Sequence, residues 1–131
     1  MEPYVPLKTA ADVARQRMPA RVLACLFAGL GRQVHAGQST AGIEQYCAQH
    51  LRHAGAEASQ LGVGFPGAAC VSVNNVAAHG VPDGRVLEEG DLVTVDVTTR
   101  VGEWAADAAW TYVVGAGSAP ARRLLRAAWQ A

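Results

Sequence analysis

Residues 71–99 read "VSVNNVAAHGVPDGRVLEEGDLVTVDVTT", and their second half decides the fold. In "LVTVDVTT" the side chains alternate, with Val93, Val95 and Val97 on one face and Leu92, Thr94, Asp96 and Thr98 on the other, which is the period of a half-buried strand. Asp96 sits in the middle of it. A carboxylate placed in an apolar strand costs several kcal/mol unless a cation, a hydrogen-bond network or a proton compensates it, so Asp96 needs one of the three.

Outward from that strand, Gly102 marks a hairpin turn and "WAADAAWTYVV" returns as the partner. Upstream, "GVGFPGAACVSV" opens with turn residues and then alternates Cys70, Ser72 and Asn74 against Val71, Val73 and Asn75, a second strand, with "HGVPDGRVLEEGD" as a long turn between the two. Two helices precede the strands. Thr9 and Asp12 form a capping box for a helix over residues 10–30, along which Val13, Met18, Val22, Leu26 and Leu30 recur, and Pro19 inside it should kink it. Ser39 or Thr40 caps a second helix with Ile43, Tyr46, Cys47 and Leu51 on its apolar side and Gly55 as terminator. Ser118, with Pro120 in the first turn, caps a third carrying Leu124, Leu125 and Ala128.

A hairpin centred between Val101 and Gly102 puts Asp96 directly opposite Asp107. Two ionised carboxylates that close repel and call for a shared proton or cation, and a divalent ion with oxygen ligands is the simplest answer. The alternative is a register one residue off, which turns Asp107 to solvent. Other candidates carry less. His50 and His53 are spaced to clamp a metal but fall beside Gln49 and Arg52 on a solvated face. Cys70 follows Ala69 in a strand and reads as a buried thiol. "GLGRQVHAG" follows a helix and lacks the strand-loop-helix setting of a phosphate loop. His79 is a lone histidine in a turn, flanked by small residues that leave room for a ligand.

Composition bounds the rest. The 131 residues, half of them apolar and with zero formal net charge, fit a single domain over residues 1–131. No basic run exceeds Arg122-Arg123, so nothing points to nucleic acid or anionic lipid. "MEPYVPLK" has no apolar signal core and no stretch reaches a membrane span, so a cytoplasmic protein with no membrane partner is expected. The three cysteines form no Cys-x-x-Cys pair and indicate neither a disulfide framework nor a thiolate zinc site.

With these residues placed, the chain resembles the N-terminal half of the type I methionine aminopeptidases. The likeness runs through "YVPLKTAADV", "GQSTAGIEQYC", "GFPGAACVSVNNVAAHGVPDGRVLEEGDLVTVDVT", Asp107 and "TYVVG". It implies an α+β fold, half of the pita-bread architecture, with helices on one face of an antiparallel sheet. It implies that Asp96 and Asp107 bind divalent metal ions, whether cobalt, manganese, iron or zinc. His79 is then the catalytic residue that helps hold substrate and the developing tetrahedral centre, and Phe65 and Cys70 help line the pocket for an N-terminal Met. The implied reaction is removal of that Met from new proteins.

The family's second half supplies a further His and two Glu to the same centre, and the sequence stops before them. The chain alone is therefore expected to be inactive. It is expected to need a complementing second half, to form a self-complementing homodimer, or to act as a catalytically dead binding or regulatory module. Three departures point the same way: "YHG" is replaced by Gly62-Val63-Gly64, "NEV" by Asn74-Asn75-Val76, and the second aspartate stands in Ala105-Ala106-Asp107-Ala108.

Overall fold

Thr9 opens the first helix as the sequence predicts: its hydroxyl accepts from the Asp12 amide while the Asp12 carboxylate accepts from the Thr9 amide, satisfying two donors that the helix itself cannot. In the computed structural model, which describes residues 7–131, α1 (Ala10–Leu30) continues without interruption through Pro19. Residues 1–6, which hold most of the start read for a signal segment and the Tyr4-Val5-Pro6 part of the resemblance, lie outside the described residues. The buried stripe of α1 is Pro19, Leu23, Leu26 and Leu30; Val13 and Met18 fall off it and are exposed, contrary to the periodicity read from the sequence. Replacing Thr9 by Ala should remove about 1 kcal/mol and lower the melting temperature by about 3–5 °C, read by circular dichroism; an unchanged melt would show that the box contributes nothing.

Ser39 caps α2 (Thr40–His53) through its hydroxyl on the Gly42 amide. Gly55, at φ 65°, turns the chain out of the helix into a conformation that other residues adopt at a cost. There follow β1 (Glu57–Ala58), a single 3-10 turn (Ser59–Val63), β2 (Cys70–Val73), β3 (Leu92–Val101), β4 (Trp104–Val113) and α3 (Ala119–Gln130), which Ser118 caps and Pro120 opens. The sheet is antiparallel throughout, with β4 along one edge of β3 and the short β1 and β2 both on the other. Helices α1 and α2 cover one face. Val93, Val95 and Val97 point into the core against Leu26, Leu30, Ile43 and Leu51, all of them 2% exposed or less. The α+β arrangement with helices on one sheet face is the expected one.

Two strand expectations need correction. β2 ends at Val73 rather than running to Asn75, because Asn74 turns left-handed at φ 56°. Its amide group then donates to Asp91 and accepts from the Leu92 amide, tying the start of β3 to the end of β2. The hairpin loop is Gly102-Glu103, one residue further on than read, so Asp107 pairs with Thr98 and Asp96 with Ala109. The slip is an even number of residues, so both carboxylates keep the same face.

Candidate metal centre

The face of the sheet turned away from the helices carries the chemistry. Asp96, half-buried at the middle of β3, is flanked by Cys70 on β2 and Ala109 on β4. Asp107 lies one diagonal step away on the same face, opposite Thr98. The Thr98 hydroxyl donates to Asp107 Oδ1 at 2.7 Å and fixes that carboxylate on the exposed side of the pair.

Burial raises the pKa of Asp96 above the ordinary aspartate value. The negative charge of Asp107 and a hydrogen bond to it push the same way, and His79 opposes them. Burial likewise pushes the Cys70 thiol up, a hydrogen bond with Gln60 opposes it, and the charges of Asp96 and Asp107 add to it. Cys70 is 4% exposed and neutral, a wall of the site rather than a nucleophile. Asp96, whose ionisation burial and the neighbouring Asp107 charge oppose, shares its face with a second carboxylate, a pair of hard oxygen donors whose repulsion a divalent cation would relieve.

His79 is held beside the outer edge of β2 by its neighbour. Gly80 lies flush on the free edge of β2, its amide donating to Ser72 Oγ at 3.0 Å and its carbonyl accepting from the Val71 amide at 2.9 Å. A Cβ at Gly80 would press on Val71 O and Ser72 Cα, so only glycine allows the approach. His79 pays for the docking with a left-handed backbone at φ 55°, a conformation that costs a non-glycine residue energy. The following loop is anchored to the start of α2, where buried Thr40 donates to Asp83 and accepts from its amide. Hydrogen bonds from the Arg85 amide and the Thr40 hydroxyl hold Asp83 below the usual carboxylate range. His79, Gly80, Val71, Val73, Asp83 and Arg85 thereby line a cavity of about 260 Å³.

Of the residues singled out from sequence, Asp96 and Asp107 share one face of the β3–β4 pair and Cys70 lies opposite Asp96 on β2, while His79 lines the separate cavity beside the outer edge of β2. Phe65 is half-buried at the end of the 3-10 turn, its amide donating to the Gln60 carbonyl. His50 is not on a solvated face as read: it is half-buried, with Nε2 at 3.3 Å from Val22 O and its ring beside Tyr46. His53 is exposed. Two residues at the site escaped the sequence reading, Thr98 as a partner of Asp107 and Gln60 as a partner of β3. Thr98 could have been found from its place on the Asp96 face; nothing in the sequence marks Gln60. Among the described residues no group of three or more His, Cys, Asp or Glu converges. A cavity of about 660 Å³ beside Arg52, Glu57, Leu61 and Arg100 is lined by neither Asp96 nor Asp107.

The model of metallopeptidase family M24 matches residues 10–131. The chain belongs to metallopeptidase family M24. Within that family it is similar to methionine aminopeptidase 1 of Bacillus subtilis, 34% identical over 119 residues that make up 90% of this chain and 48% of the relative. Methionine aminopeptidase 2 of Mycobacterium tuberculosis is 35% identical over 115 residues, 87% of this chain and 40% of the relative. The crystal structure of methionine aminopeptidase from Rickettsia prowazekii superposes with a TM-score of 0.93 at 26% identity, over 97% of this chain and 52% of that one. The chain thus spans about half the length of the relatives it matches. Its fold is half of the pita-bread fold of the M24 family, as the resemblance implies. Among the described residues no helix is long and apolar enough to cross a membrane.

Proposed function

We propose that this chain supplies the aspartate half of a divalent-metal aminopeptidase centre acting on N-terminal methionine. The observation that carries the reading is the Asp96–Asp107 pair on the open sheet face, with Asp96 raised by burial and by its partner's charge. The M24 membership and the likeness to methionine aminopeptidases supply the reaction class. A divalent ion held by the two carboxylates would polarise the scissile carbonyl and make a water acidic enough to attack at neutral pH. The chain's own residues do the rest of this half's work. Thr98 orients Asp107, and Asp96 stays in place between Cys70 and Ala109. His79 is aimed by its strained turn to hydrogen-bond the substrate at the reacting carbonyl, and Cys70 and Phe65 offer apolar surface to the Met side chain.

Two carboxylates leave most positions of an ion open, and no third acidic, thiol or imidazole ligand converges with them among the described residues. Full turnover on this reading needs ligands and a base from further polypeptide, either a complementing second half or a second copy of the chain, in a cytoplasmic setting. Metal-dependent release of Met from the tripeptide Met-Ala-Ser tests it. The monomeric 131-residue chain should show none above buffer with cobalt or manganese, and any assembly that does release Met should lose it with Asp96→Asn. Robust turnover by a proven monomer, or turnover indifferent to Asp96→Asn, would overturn the reading.

A further inference from the structure

β4 pairs with β3 along its whole length, from Leu92 to Val101, so both short strands must share the other edge. There β1 pairs with Thr99 and Arg100, and β2 pairs with Val93 to Asp96. Between them β3 has a gap at Val97 and Thr98 with no strand beside it. A side chain fills the gap. Gln60, in the 3-10 turn, places its amide so that Nε2 donates to the Asp96 carbonyl at 3.2 Å and Oε1 accepts from the Thr98 amide at 3.1 Å. One donor and one acceptor spanning residues two apart on a strand edge is what the backbone of a neighbouring strand would provide. The turn that carries Gln60 is itself held, the Gln60 carbonyl accepting from the Phe65 amide at 3.1 Å.

The two backbone groups so engaged are not arbitrary. Asp96 presents the first carboxylate, and Thr98 holds the second through its hydroxyl on Asp107 Oδ1. We propose that Gln60 is a positioning residue for the carboxylate pair, its amide fixing the β3 backbone at Asp96 and Thr98 and, through Thr98, the rotamer of Asp107. Partners behind the ligands set their orientation, and their loss commonly lowers metal affinity 10–100-fold. The effect on metal rests on the function proposed above; the effect on the two carboxylate rotamers does not.

The test compares wild type, Gln60→Leu and the neighbouring control Ser59→Ala in the 131-residue chain, with Gln60→Asn, whose amide falls short, where the leucine variant does not fold. In the metal-free protein, three-bond couplings should show single χ1 rotamers for Asp96 and Asp107 in wild type and control, and averaging in the Gln60 variant, with Thr98 amide exchange faster by roughly tenfold or more. Cobalt affinity should fall roughly 10–100-fold and the visible cobalt spectrum should change. Unchanged rotamers together with cobalt affinity within about twofold of wild type would overturn the inference even if the variant melts lower, because Gln60 would then only satisfy a strand edge. If wild type binds no cobalt while the rotamers still loosen, the metal reading falls and the positioning role stands. If wild type binds cobalt and the variant binds it identically with intact rotamers, the reverse holds.

Discussion

Replacing either Asp96 or Asp107 by Asn is expected to lower the affinity of the chain for cobalt or manganese by roughly 100-fold or more, read by calorimetric titration. Loss of a partner behind a ligand already costs about 10–100-fold, and here half of the chain's own donor set is removed. The two variants should be about equally damaging, because a single carboxylate with waters makes a poor site. Proton competition gives a further signature. The pKa of Asp96 is raised by burial and then by Asp107, so protons displace metal at a higher pH than they would from an ordinary aspartate, and affinity falls as pH drops through that raised value. Stability of the metal-free chain runs the other way. A folded pKa above the unfolded one means that the charged form costs stability above the folded value and that the cost disappears as pH falls through it. Asp96→Asn should therefore raise the metal-free melting temperature at pH 7 by about 2–4 °C, a small effect because the group is only half-buried and solvent screens its charge. Wild-type affinity in both variants would remove the basis for a shared site.

Gly80→Ala should destabilise the fold by about 2–3 kcal/mol, because the added methyl meets backbone rather than a side chain that can swing away. β2 is four residues long and its outer edge is held by the Gly80 carbonyl and amide, so the strand cannot shift without giving up those bonds. The damage should extend to His79, whose left-handed turn exists only while its neighbour is docked. Urea melts give the stability, and the His79 imidazole resonances give the position. A variant with wild-type stability and unshifted His79 signals would show that the close approach is not what fixes the histidine.

The helices and the β3–β4 hairpin were legible because each carries redundant local signals. Thr9 with Asp12, Ser39 and Ser118 mark three helix starts, and the structure uses all three as caps. The valines of β3 name the core face without help from any other element. The hairpin register was misread because Gly102 permits a turn at either of two centres, and only the pairing of Val101 with Trp104 decides between them. That the acidic pair survives the error follows from the period of the strand: a shift of two residues in the pairing changes direct opposition into a diagonal and leaves the face unchanged. β1 could not be read at all, since two residues have no period. The bend at Asn74 depends on hydrogen bonds to Asp91 and Leu92, which lie far along the chain. Gln60 is the clearest case: its role exists only because two strands leave a gap on a third, and no local pattern records a gap.

The most direct test of the acidic pair as a metal centre is to add substoichiometric manganese to the isotopically labelled 131-residue chain and map paramagnetic broadening. Broadening should centre on Asp96 and Asp107 and fade outward through Thr98, Cys70 and Ala109, and it should vanish in Asp107→Asn. Broadening spread over exposed carboxylates such as Glu88, Glu89 and Glu103, with Asp96 no more affected than they are, would contradict the account.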